Sequence, residues 1–158
     1  MSAVDGGARH RAREAALQML YQTEVGRASV HEAVRTYWPG RDAPPSPEDE
    51  HADAVPAAAV DEHGRTFANA LVSGTVGRLA EIDELIASHL KNWRIERTAV
   101  IDRLILRLAI YELLTETGTP AKVIINEALE LARTFSGEEP VAFINGVLDA
   151  VRKTLGRE

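Results

Sequence analysis

The chain is predicted to be all-α, with about seven helices. Three observations lead there. Alanine and leucine dominate a hydrophobic fraction of 45% over 158 residues, while β-branched runs are few. Apolar residues recur at spacings of three and four along most of the length, and no stretch alternates as a strand would. Only eight residues are aromatic (3 Phe, 3 Tyr, 2 Trp), so the core must be aliphatic. The length suits one domain, in which helix packs on helix.

The elements follow in order. Residues 1–8 are small and polar, with Gly6-Gly7, and read as a flexible arm. A first helix is predicted from about Arg9 to Val25, with Leu17, Leu20 and Tyr21 on one face and Gly26 as its stop. Val30 to Tyr37 gives a short second helix. From about 38 to 58 come five of the chain's seven prolines, among acids and alanines and without an apolar period. This is the composition of a mobile loop. The 38 or so residues before it are too few to bury a core alone, so the loop is read as part of one domain, residues 9–158, and not as a linker.

Phe67, Leu71, Val72 and Val76 mark a third helix, about Asp61 to Gly77. Ile82, Leu85, Ile86 and Leu90 mark a fourth, with Trp93 just beyond it. Between Val100 and Leu114 the apolar residues surround the helix axis, which predicts a central fifth helix covered on most sides. Gly118-Thr119-Pro120 is a turn. A sixth helix spans about Lys122 to Phe135, and Gly137 is placed to cap it in a left-handed conformation. Pro140 suits the first turn of a seventh, marked by Phe143, Ile144, Val147, Leu148, Val151 and Leu155.

The net charge of −6 is unevenly placed. Residues 42–62 hold seven acids and no Lys or Arg, a charge of −7 that leaves the rest of the chain at +1. Against this stands Arg9-His10-Arg11-Ala12-Arg13, a basic cluster opening the first helix. Planar guanidinium forks suit phosphate oxygens, so the cluster raises a nucleic acid as partner; the competing reading is a charged helix start that serves solubility. There is no cysteine, which excludes disulfides and thiolate zinc sites and fits a reducing cytosol. No apolar run approaches the roughly 20 residues of a membrane span, and no signal-peptide core follows Met1, so a cytoplasmic protein is expected.

No catalytic constellation emerges. The histidines (His10, His31, His51, His63, His89) are scattered without metal-ligand spacing, and no phosphate loop or nucleophile elbow is present. Asp83-Glu84 reads as a solvated helix face. Arg103 and Arg107, four apart on the most apolar helix, either pair with buried carboxylates or surface in a groove. Gly146, inside the last helix beside Asn145, costs about 1 kcal/mol against alanine, and tight helix packing is the favoured explanation.

These motifs together resemble the NusB family of bacterial transcription antitermination factors. The resemblance rests on the arginine-rich start leading to Leu17-Gln18-Met19-Leu20-Tyr21 and on Arg107-Leu108-Ala109-Ile110-Tyr111-Glu112-Leu113. Asn126-Glu127-Ala128-Leu129-Glu130-Leu131-Ala132-Arg133-Thr134-Phe135 and Phe143 to Asp149 complete it, in the family's order over nearly the whole chain. It implies two antiparallel three-helix bundles, no enzyme activity, no cofactor and no metal. It also implies binding of the boxA element of nascent RNA, notably from ribosomal RNA operons, together with NusE, a ribosomal protein that doubles as an elongation factor. RNA polymerase would be engaged only indirectly.

By the same resemblance Arg9, Arg11 and Arg13 are RNA contacts, with His10 where an arginine is often found. Glu139 and Phe143 lie close to the RNA, and Tyr21 and Asp102 on the NusE side. Phe143 and Tyr21 would offer stacking surfaces if exposed and are otherwise core. Two other readings stand beside this one. The first is an accessory domain of an RNA methyltransferase, disfavoured because there is no cysteine nucleophile or catalytic module. The second is a homodimer that hides its basic surface.

Overall fold

The computed structural model describes residues 6–42, 60–90 and 94–158. Among them are seven α-helices and one 3-10 turn, Ile95–Arg97, and no strand. The helices are α1 (Gly6–Glu24), α2 (Val30–Asp42), α3 (Glu62–Gly77), α4 (Leu79–Ser88), α5 (Val100–Thr115), α6 (Ala121–Phe135) and α7 (Val141–Thr154). They fall into two compact units that divide within α3, at Ser73 and Gly74.

The first unit contains α1, α2 and most of α3. Ala12, Ala15, Ala16, Leu17, Met19 and Leu20 of α1 are buried, an inward face made mostly of small side chains that lets neighbouring helices approach. Arg27, with a positive φ of 56°, turns the chain toward α2, and Ser29 Oγ accepts the Glu32 N–H at 3.1 Å as a cap. Tyr37 late in α2 donates to Gln18 of α1 at 2.7 Å, as an antiparallel hairpin requires. Trp38 is buried and donates to Asn69 of α3 at 2.9 Å. Asp61 caps α3 by accepting the Gly64 N–H at 2.8 Å.

Three sequence expectations shift here. Gly6–Ala8 belong to α1 and not to a loose arm, because extending a formed helix by a few residues needs no new nucleus. α1 stops at Glu24, just short of Gly26. α2 runs through Pro39 to Asp42, where a loop was expected from 38. Trp38 anchors that turn, and Pro39 is exposed, so water can serve the carbonyl its ring frees. Residues 1–5, Trp93 and the remainder of the Pro-rich stretch, 43–59, lie outside the described residues.

In the second unit α5 packs against α4, α6 and α7. Leu104 to Ile110 is an unbroken buried run, so the helix with apolar residues on every side is indeed the covered one. α5 and α6 are antiparallel: Ser136, just past the end of α6, donates to Asp102 in the first turn of α5 at 2.6 Å. Gly137, at φ +114°, closes α6 by donating its N–H to the Ala132 carbonyl at 2.7 Å, the left-handed end that the sequence suggested. Pro140 stands one residue before α7.

Two long-range arginine contacts lock this unit. Arg107 pairs with Asp83 of α4 through two bonds, Nε to Oδ1 at 2.8 Å and Nη2 to Oδ2 at 2.9 Å. The buried ion pair is therefore the outcome for Arg107, and Asp83 is not the solvated carboxylate expected. Arg157, beyond α7, donates to the carbonyls of Leu113, Glu116 and Thr119. It supplies donors and positive charge to the carbonyl-rich end of α5.

Two of the helix glycines, Gly74 and Gly146, differ in surroundings. A Cβ on Gly74 of α3 would collide with the Tyr111 ring and hydroxyl, so this glycine permits a close approach. A Cβ on Gly146 would meet nothing within 4 Å, and both Gly146 and Asn145 are exposed. The tight-packing reading of Gly146 and Asn145 is overturned; that job falls to Gly74.

Candidate nucleic-acid interface

The basic cluster occupies the second turn of α1, and helical geometry divides it. Arg9 and Arg13 are four apart and share the face toward α3, where their guanidinium carbons lie 4.6 Å and 5.6 Å from the Phe67 ring centroid. His10 and Glu14 share the next face and meet at 2.8 Å, an ion pair when the imidazole carries both protons. Arg9 is exposed, His10 and Arg11 are partly exposed, and Arg13 is only 2% exposed. The cluster does not offer three equal cations to solvent: Arg13 is drawn inward. The stripe Arg13, Ala16, Leu17, Leu20 has spacings of three, four and seven, and its last three members are buried, so the pattern contained the signal.

Asp102 repeats the case on α5. It heads the buried stripe Ile105, Leu106, Ala109, is itself 8% exposed, and accepts the Ser136 hydroxyl. Tyr21 is 37% exposed, and Val25, one turn later on the same face, is 49% exposed, a small apolar surface at the end of α1. In the second unit Glu139 is exposed ahead of α7, Phe143 is half-buried in its first turn, and Glu138 lies 3.4 Å from Arg133. Phe67 was read from sequence only as a helix marker; its role as the ring beneath Arg9 depends on a helix more than fifty residues away. Among the described residues no group of three or more His, Asp or Glu side chains is arranged to hold a metal ion. No helix among them is long and apolar enough to cross a membrane.

Residues 10–153 match the model of the NusB family. The chain belongs to the NusB family. It is 42% identical to the transcription antitermination protein NusB of Sorangium cellulosum, covering 96% of each chain, and 45% identical to that of Solibacter usitatus, covering 93% of this chain and 90% of the relative. Its fold is similar to that of T. maritima NusB, with a TM-score of 0.74, 31% identity and coverage of 92% of this chain and 90% of the other. A structure of the antitermination factors NusB and NusE in complex with dsRNA shares the fold, with a TM-score of 0.76, 23% identity and coverage of 93% and 97%. The NusB match runs through both units; it takes in His10, Arg11 and Arg13 of the α1 cluster and the start of α7, and begins one residue after Arg9.

Proposed function

We propose that this NusB-family chain is a non-catalytic RNA-binding antitermination factor that acts with NusE on boxA-type RNA. The observation that carries this reading is identity of 42–45% to transcription antitermination proteins NusB over more than nine-tenths of the chain. The arrangement on α1 supports it physically. Arg9 and Arg11 project from one short segment of a rigid helix, and such cations hold phosphates while base edges and stacking set the sequence preference. His10 adds a third side chain there, held by Glu14 at 2.8 Å. Arg13 acts from inside, as the support of that surface. In the second unit, Glu139 and Phe143 are proposed as further RNA contacts, with Phe143 half-exposed for stacking.

Tyr21, exposed together with Val25, is the proposed NusE contact on α1. In the second unit, Asp102 is proposed to serve NusE binding from inside: its buried carboxylate holds Ser136 and so the α6–α7 corner. RNA polymerase is reached only through the RNA–NusE complex, and the working compartment is the cytoplasm.

The test is a binding titration with a boxA-type RNA over a salt series, with and without NusE. Each phosphate contact on a single strand contributes about 0.7 to the salt slope, so replacing Arg9 and Arg11 by Gln together should flatten it by up to roughly 1.4 and weaken binding. Affinity and slope equal to the parent's would refute the assignment. RNA binding that falls as protein concentration rises would instead identify a homodimer that covers the basic surface.

A further inference from the structure

Phe67 stands between two guanidiniums that α1 delivers one turn apart, Arg9 at 4.6 Å and Arg13 at 5.6 Å from its centroid. Both fall inside the roughly 6 Å at which an aromatic face attracts a cation. Two like charges on one ring repel each other, and Arg13 has also given up nearly all its water, at 2% exposure. Apolar packing does not require this arrangement, since an aliphatic side chain at position 13 would cover the ring as well. What the ring supplies is order. A free arginine samples many rotamers and must be immobilised when it grips an oxygen. Held through its charge and its face, Arg9 still has its N–H donors for acceptors, and it is exposed.

We propose that Phe67 is a positioning residue for RNA binding, whose ring holds Arg9 ready for a phosphate while Arg13 fixes the ring to α1. This rests on the RNA-binding reading above. Arg9 touches the RNA in this scheme, and Phe67 and Arg13 do not. The division explains why the cluster mixes an exposed arginine with a buried one. It also gives one of the chain's few aromatic residues a role that an aliphatic residue cannot fill.

The experiment compares the parent, Phe67→Leu, Phe67→Tyr and Arg9→Gln against a single-stranded boxA-type RNA oligonucleotide at several salt concentrations, after thermal unfolding has been measured for each. Phe67→Leu should weaken binding by roughly threefold to tenfold with the salt slope kept, because the phosphate contact survives and only its preparation is lost. Phe67→Tyr should bind as the parent does, since a phenol ring keeps the attracting face; it also serves as the test should Phe67→Leu fail to fold. Arg9→Gln should lower both affinity and slope. Without RNA, the Arg9 δ-methylene protons should show a ring-current shift that Phe67→Leu removes.

Parent-like binding by Phe67→Leu alongside weak binding by Arg9→Gln overturns the role of Phe67 and leaves the RNA reading standing. Equal losses in Phe67→Leu and Phe67→Tyr, or no ring-current shift in the parent, also overturn it. A parent that does not bind the RNA removes both.

Discussion

Replacing Gly146 by alanine should stabilise the protein. Gly146 lies in the middle of α7, is exposed, and has no atom within 4 Å of where a Cβ would stand. The new methyl group meets no clash and gains little burial, so the effect is one of backbone freedom. Alanine is favoured over glycine in a helix interior by about 0.8–1.0 kcal/mol, partly because the unfolded chain has less entropy to lose. For a chain of this size about 1 kcal/mol raises the thermal midpoint by about 2–4 °C. Gly74→Ala is the matched control. Its Cβ would strike the Tyr111 ring, and overpacking of that kind costs about 1–3 kcal/mol, enough to reverse the sign. Thermal unfolding followed by helical circular dichroism reads both. A midpoint lowered by Gly146→Ala, or one raised by Gly74→Ala, would refute the assignment of open space to one glycine and close approach to the other.

Arg107→Ala should destabilise the protein by about 2 kcal/mol in urea unfolding. This is below the roughly 3–5 kcal/mol of a fully buried pair, because the Asp83 side chain left behind keeps 28% exposure. Equal stability of Arg107→Ala and the parent would show that the pair contributes nothing. Arg157→Ala should cost about 1.5–3 kcal/mol by removing charged donors from three carbonyls, and its amide exchange should quicken first at the end of α5; uniform quickening would argue against a local cap. The Asp149 carboxyl is held below its ordinary value of 3.8, chiefly by the Arg152 hydrogen bond and then by that of Lys153. A depressed carboxylate stabilises above its unfolded pKa, and that contribution is lost as pH falls through the folded value. Asp149→Asn should therefore match the parent's pH dependence above about pH 5 and flatten it only below about pH 4; a difference confined to neutral pH would contradict this.

Much of the fold was legible because periodicity is local. α3, α5, α6 and α7 begin and end within a residue or two of the positions that the spacing of their apolar residues suggested, and the all-round apolar pattern of α5 marked the covered helix. What escaped depends on distant partners. α2 continues through Pro39, with the Trp38–Asn69 bond holding that turn across 31 residues, and Asp83 is recruited by an arginine 24 residues on. Gly146 shows a different limit, since the sequence marks a costly residue without saying what makes it worth the cost. Arg13 and Asp102 are more instructive still. Arg13 was expected as an RNA contact and Asp102 on the NusE side, yet each heads an inward stripe at helical spacing, so the same periodicity that located the core placed these two charges on its edge. The candidate RNA surface was thus legible in residue type and position, and its division into exposed and supporting members was not.

The Arg157 clasp makes assembly of the second unit depend on the order of synthesis. Leu113 and Arg157 are 44 residues apart. At about 5–20 residues per second, roughly 2–9 s separate the making of the α5 carbonyls from the making of the side chain that binds them. During that interval the most apolar helix of the protein has water in place of its clasp and gains α6 and then α7 as cover only as each is made. Its last turn therefore stays the most exchangeable part of the nascent unit until Arg157 arrives. A ribosome stalled short of residue 157 would hold a chain that has its central helix but not its fastening.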